Sequence, residues 1–152
     1  MPKFPDRSLG QKLNADEYIA DYQVTKDSTN DGAWKLECRQ TFREPRVASW
    51  NALDAGNWKE SLELIQRDAD AYRAAVKASP QPVRRLRIVQ RPYTPYLAWE
   101  LLILQIRVTA GEQIRVMDIT DNNQGLLESP ELLIFPGVMY EVLYDDSGLH
   151  YG

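Results

Sequence analysis

The sequence predicts an α/β domain built on a mixed open sheet, with a parallel strand, helix, strand centre and a C-terminal antiparallel hairpin. Three stretches carry this expectation. Val83 to Gln90 alternates as a strand does, with Leu86 and Ile88 on one face and Arg85 and Arg87 on the other. After Arg91-Pro92, Thr94 supplies a capping hydroxyl and Pro95 a first helical residue whose missing N–H is not needed. Leu97, Leu101, Leu104 and Val108 then recur at helical spacing up to about Thr109, and Trp99, Leu102, Ile103 and Ile106 widen the apolar surface until the helix is expected to be covered on more than one side. Ala110-Gly111 ends it, and Gln113 to Ile119 resumes a strand with Ile114 and Val116 facing one way. Two strands separated by such a crossover form a parallel pair with a right-handed connection. Leu86, Ile88, Ile114 and Val116 are accordingly expected on adjacent central strands, with Leu97, Leu101 and Leu104 packed across them. Pro136-Gly137, between Glu131 to Phe135 and Val138 to Tyr144, reads as the reversal of the hairpin.

The earlier part of the chain supplies the covering layers. Asn14 and Glu17 are spaced as a capping box for a short helix presenting Tyr18, Ile19 and Tyr22, and Ser28 to Gly32 reads as a turn. Residues 1–32 thus form a peripheral segment of one domain spanning 1–152. From Ala33 to Phe42 one alternation holds Trp34, Leu36, Cys38 and Gln40 and the other Lys35, Glu37, Arg39 and Thr41, which predicts a half-buried strand with Cys38 as a buried hydrophobe. A short element with Val47, Trp50 and Leu53 follows Pro45 and ends at Gly56. Asn57 and Glu60 then form a second capping box. The helix they open, from Trp58 to about Ala78, carries one apolar stripe through Leu62, Ile65, Ala69, Tyr72 and Val76, and is expected to lie within the fold. Thr120 to Gly125 is the strongest loop signal.

A chain of 152 residues fits one domain with a substantial core, and the 43% apolar and 26% charged composition is ordinary for a globular protein. One cysteine excludes an intramolecular disulfide, and the lack of a long apolar run points to a cytoplasmic protein away from the bilayer. The net charge of −4 is unevenly placed: residues 83–115 hold six arginines against two carboxylates, while from Val116 onward seven carboxylates face no lysine or arginine. That acidic end opposes phosphate docking, so specific duplex DNA binding is not expected.

No phosphate-binding glycine loop is present, and one cysteine with one histidine makes a zinc site an unfavoured reading. No catalytic residue, metal or cofactor is assigned. Glu37, Glu100, Glu112 and Asp118 could converge as an acid/base pair or divalent-metal site. The favoured reading instead pairs Glu37 and Glu100 with Arg85, Arg87 or Arg115. Arg91, Tyr93, Tyr96 and Trp99 interleave cation and aromatics at the start of the second long helix, as a partner surface or a ligand-stacking site would; core and loop packing is the simpler account. His150 is expected to be an exposed terminal residue.

Trp34-Lys-Leu-Glu37, Val83 to Val89, Tyr96-Leu-Ala-Trp-Glu100, Ala110 to Arg115 and the strand ending Tyr144 to Gly148 resemble an uncharacterised actinobacterial family often encoded beside helix-turn-helix regulators. The resemblance spans residues 34–148. Members show an aromatic and acidic residues in the final hairpin, where this chain has Leu133-Ile-Phe-Pro-Gly137. The resemblance makes Glu37, Arg87, Trp99, Glu100 and Arg115 the places to look for a ligand pocket. It also implies a protein partner, such as a helix-turn-helix regulator, with a homodimer as a further expectation. More remotely, the arrangement resembles one half of a phospholipase D-like α/β fold. That chemistry needs paired histidines and nearby lysines, whereas His150 is the only histidine and no lysine follows Lys77. The expectation is a non-enzymatic accessory or regulatory interaction domain. The alternative is a small-molecule-binding enzyme using a pocket around Glu37, Arg87 and Glu100.

Overall fold

The computed structural model describes residues 5–152; the early punctuation at Pro2 lies outside them. Five strands form one sheet in the order β3-β2-β1-β4-β5, where β1 is Ala33–Glu37, β2 Val83–Val89, β3 Gln113–Asp118, β4 Leu132–Phe135 and β5 Val138–Glu141. The central strand β1 runs parallel to β2 and antiparallel to β4; β2 and β3 are parallel, and β4 and β5 form the antiparallel hairpin. The sheet is therefore mixed and open, with a parallel strand, helix, strand core.

Local chemistry places the helices. In α1 (Ala15–Ser28), Asn14 Oδ1 accepts from the Glu17 N–H at 3.0 Å and Glu17 returns the bond to the Asn14 N–H at 2.8 Å, so the capping box is complete. The helix α2 spans Ala48–Asp54 and α3 Trp58–Ala78. At the start of α3 the box is only half made: Asn57 accepts from the Glu60 N–H, but Glu60 meets the Asn57 side-chain amide instead of its backbone. The fourth helix, α4 (Pro95–Thr109), begins where the Thr94 hydroxyl accepts from the Leu97 N–H at 3.1 Å, with Pro95 just inside. Gly137, at φ 79°, makes the hairpin reversal.

Register decides the two faces. Lys35 pairs with Arg85 and Leu133, and Glu37 with Arg87, so these side chains share one face; Trp34 with Arg84 and Ile134, and Leu36 with Leu86 and Leu132, share the other. The face with Arg85 and Arg87 is the one that α1 and α4 cover. Helices α2, α3 and α4 meet around Phe42, Trp50, Ile65, Tyr96, Trp99 and Ile103, while Tyr18 and Tyr22 of α1 pack on Ala33, Leu133, Phe135 and Tyr140. Across the sheet, a 3-10 turn at Gln124–Glu128 sets Leu126 and Leu127 against Cys38, Ile88 and Ile119.

Several expectations are corrected by this arrangement. The first strand stops at Glu37, short of Phe42, because the Glu131 carboxylate accepts the Cys38 and Arg39 N–H groups and ends the ladder. Ile114 and Val116 pair with Arg85 and Arg87, so they do not share a face with Leu86 and Ile88, and β3 is an edge strand on which Val116 is exposed. Leu97 and Leu104 of α4 are buried as expected, whereas Leu101 is only partly so. At the N-terminal end of α3, Trp58 and Leu62 remain exposed.

Candidate functional site

Two features of the sheet are candidates, one on each face. The first is a buried ion cluster beneath the helices. Arg87, with its side chain fully buried, donates from Nε to Glu100 Oε2 at 2.7 Å and from Nη1 to the Glu37 and Ile88 carbonyls at 3.2 Å. Arg85 bridges Glu37 Oε2 at 2.8 Å and Glu112 Oε1 at 3.3 Å; Lys35 Nζ meets the other Glu37 oxygen at 2.8 Å, and Arg107 closes on Glu112. β1 and β2 supply Lys35, Glu37, Arg85 and Arg87 at alternate positions, and α4 with its C-terminal turn supplies Glu100, Arg107 and Glu112.

Position tunes the carboxylates differently. Burial opposes the charge on Glu37, yet Lys35 and Arg85, with Arg87 behind them, outweigh it and hold the carboxyl at about 2. Burial pushes the Glu100 carboxyl upward, with Glu37 adding to the shift and Arg87 resisting it. Glu44 lies beside the cluster, is also raised by burial, and accepts from the Tyr96 hydroxyl at 3.1 Å.

Of the residues named from sequence as a pocket, Glu37, Arg87 and Glu100 come together. Trp99 follows them into the interior at 4% exposure, where its indole N–H donates to Ser49 Oγ at 3.1 Å. Arg115 does not join: it pairs in register with Leu86 and is exposed on the opposite face of the edge strand. Asp118 is likewise apart, held by Arg91 at 2.6 Å. The expected partner surface divides in the same way. Arg91 and Tyr93 are exposed, but Tyr96 at 5% and Trp99 at 4% are part of the aromatic core with Phe42, so these four do not form one outer surface. His150 also departs from expectation. Its ring centroid lies 5.2 Å from that of Tyr18 and 5.7 Å from that of Tyr144, and Tyr144 and His150 pair as an antiparallel bridge that draws the chain end inward. Cys38 is fully buried, its thiol pushed up to about 12 by burial and by Glu131.

The second feature is the uncovered part of the other face. Trp34 is 57% exposed although it sits on the central strand, and Ile134 and Met139 beside it across β4 and β5 are 37% and 39% exposed. The Arg84 guanidinium lies 5.1 Å from the centroid of the Trp34 ring. The turn holding Leu126 and Leu127 covers the Ile88 end of this face and leaves the Trp34 row open. Alternation alone hid this surface, because it cannot tell which face a helix will cover.

A family model described as "Domain of unknown function (DUF6879)" matches residues 20–152. The chain belongs to the DUF6879 family. The DUF6879 match contains all five strands, the ion cluster and the Trp34 row, and leaves residues 1–19 outside, the first residues of α1 among them. No curated protein and no solved structure matches the chain.

Proposed function

We propose that this DUF6879 protein is a regulatory interaction module that works without turnover and docks a protein partner on the open sheet face. The observation that carries this reading is Trp34, a large apolar side chain more than half exposed in the middle of the sheet, continuous with Ile134 and Met139. Exposed tryptophan and arginine concentrate binding energy in protein interfaces, and contiguous apolar surface on a folded domain marks such contacts. Arg84 and Arg115 lie on the same face, whereas its carboxylate, Glu141, is already bound by Arg7 at 2.5 Å. The complementary partner therefore presents apolar side chains bordered by carboxylates. The family resemblance implies a helix-turn-helix regulator as its class. Absence of turnover is supported by the commitment of Glu37, Glu100 and Glu112 to cations, which leaves none of the three as a free base.

The test uses a purified helix-turn-helix regulator, the partner class that the resemblance implies. Titrated against wild type and Trp34→Ala by calorimetry, it is expected to lose about tenfold or more in affinity while the melting temperature of the variant is unchanged. Equal affinity for both proteins would overturn the docking face. Sedimentation of the protein alone tests the remaining occupant, since a wild-type dimer that Trp34→Ala dissociates would assign the face to a second copy.

A further inference from the structure

A cavity of about 520 Å³ lies between α1 and the helix-covered face of the sheet, beside the ion cluster and on the opposite side from Trp34. Its size suits a small molecule. Its wall is electrically unbalanced: Lys26, Lys35, Arg43, Arg85 and Arg107 line it against the carboxylates of Glu44 and Glu112. Lys35 and Arg85 are drawn to Glu37, and Arg107 to Glu112. Among the described residues, Lys26 and Arg43 form no ion pair; Lys26 is half-buried, and Arg43 is exposed and felt at longer range by Asp145. Two of the wall residues, Arg85 and His150, keep a buried nitrogen, Nε and Nε2, without a hydrogen-bond partner among the described residues, as does Nη2 of Arg87 outside the wall. The remaining wall is aromatic, with Tyr18, Tyr22, Phe135 and Tyr144.

We propose that this cavity binds a small organic anion carrying a flat unsaturated ring. Excess cationic donors would hold a carboxylate or phosphate through charge-assisted hydrogen bonds, and the tyrosine and phenylalanine rings would take the planar part. The two kinds of group share this chemistry. A neutral ring compound would gain nothing from Lys26 and Arg43, and a cationic one would meet repulsion from the wall.

Isothermal calorimetry on the full chain, with phenyl phosphate and benzoate as probes and benzyl alcohol as the neutral control, tests the proposal and separates the two anion types. At least one anion is expected to bind with one-to-one stoichiometry and a dissociation constant below about 1 mM, weakening as salt rises, while benzyl alcohol shows no saturation. The Lys26→Gln/Arg43→Gln double variant removes neither member of an ion pair seen in the fold, so it is expected to melt as wild type does. It should weaken the anion by about tenfold or more. Lys59→Gln, an exposed change on α3 outside the wall, should leave binding unchanged. Failure of both anions to saturate, equal binding of benzyl alcohol, or full affinity in the double variant would each overturn the site. Because Trp34 plays no part here, loss of the partner contact on the other face would leave this result standing.

Discussion

Arg87 and Glu100 meet at 2.7 Å between β2 and α4, the arginine side chain fully buried and the glutamate almost so. A helix is thereby laid on a sheet face through a charge pair where apolar contact is the usual means. Removing one member leaves the other charged and buried, which costs more than the pair itself contributes. Glu100→Leu is expected to lose about 3 to 5 kcal/mol in urea denaturation. The Arg87→Met/Glu100→Leu double variant should recover much of that loss, and a double variant as unstable as the single one would show that the bond acts through geometry alone.

The Glu37 carboxyl supplies a pH signature. Its ordinary value of 4.5 falls to about 2 in the folded chain, because Lys35 and Arg85 overcome the burial that opposes its charge. With the folded value below the unfolded one, its contribution is complete above the unfolded value and is lost as pH falls toward the folded value. The stability gap between wild type and Glu37→Gln should be widest near neutral pH and shrink steadily between pH 4.5 and 2. A gap that is constant across this window would deny Glu37 that role.

Cys38 should be inert in the native state. Burial and the neighbouring Glu131 push its thiol up to about 12, so little thiolate exists at neutral pH and no reagent path reaches the sulfur. Iodoacetamide at pH 8 is expected to label it quickly in urea and slowly in buffer, as read by mass spectrometry. Equal rates would place the thiol at the surface.

Gly32 makes the entry to β1 possible. It has φ 72°, and a Cβ there would lie 2.0 Å from the Pro82 carbonyl oxygen, which receives the Ala33 N–H. Gly32→Ala is expected to cost at least about 1 to 3 kcal/mol from the backbone conformation alone. A thermal melt within error of wild type would mean that the β1 and β2 entries move apart freely.

Much of this architecture is legible in the chain itself. Thr94-Pro95 starts α4, Asn14 and Glu17 cap α1, and Pro136-Gly137 turns the hairpin, because each is a local contest among a few neighbouring backbone groups. The alternation of Leu86 and Ile88 with Arg85 and Arg87 likewise specifies a strand with two unlike faces. The pairing of Glu37 and Glu100 with arginines was also readable as charge accounting, since buried carboxylates need cations.

What the sequence by itself determined was therefore the elements, their ends and the opposite-charge partners. Only the tertiary structure decided which face of the sheet the helices cover, because period-two alternation is symmetric between faces and the choice rests on residues distant in sequence. Glu100 on α4 selects the face of Arg85 and Arg87, which sends Trp34 to the outside and Arg115 away from the cluster. The same docking draws Tyr96 and Trp99 into the core around Phe42, and the bridge from Tyr144 brings His150 against Tyr18. Those placements are long-range, and no local pattern in the chain distinguishes them from their alternatives.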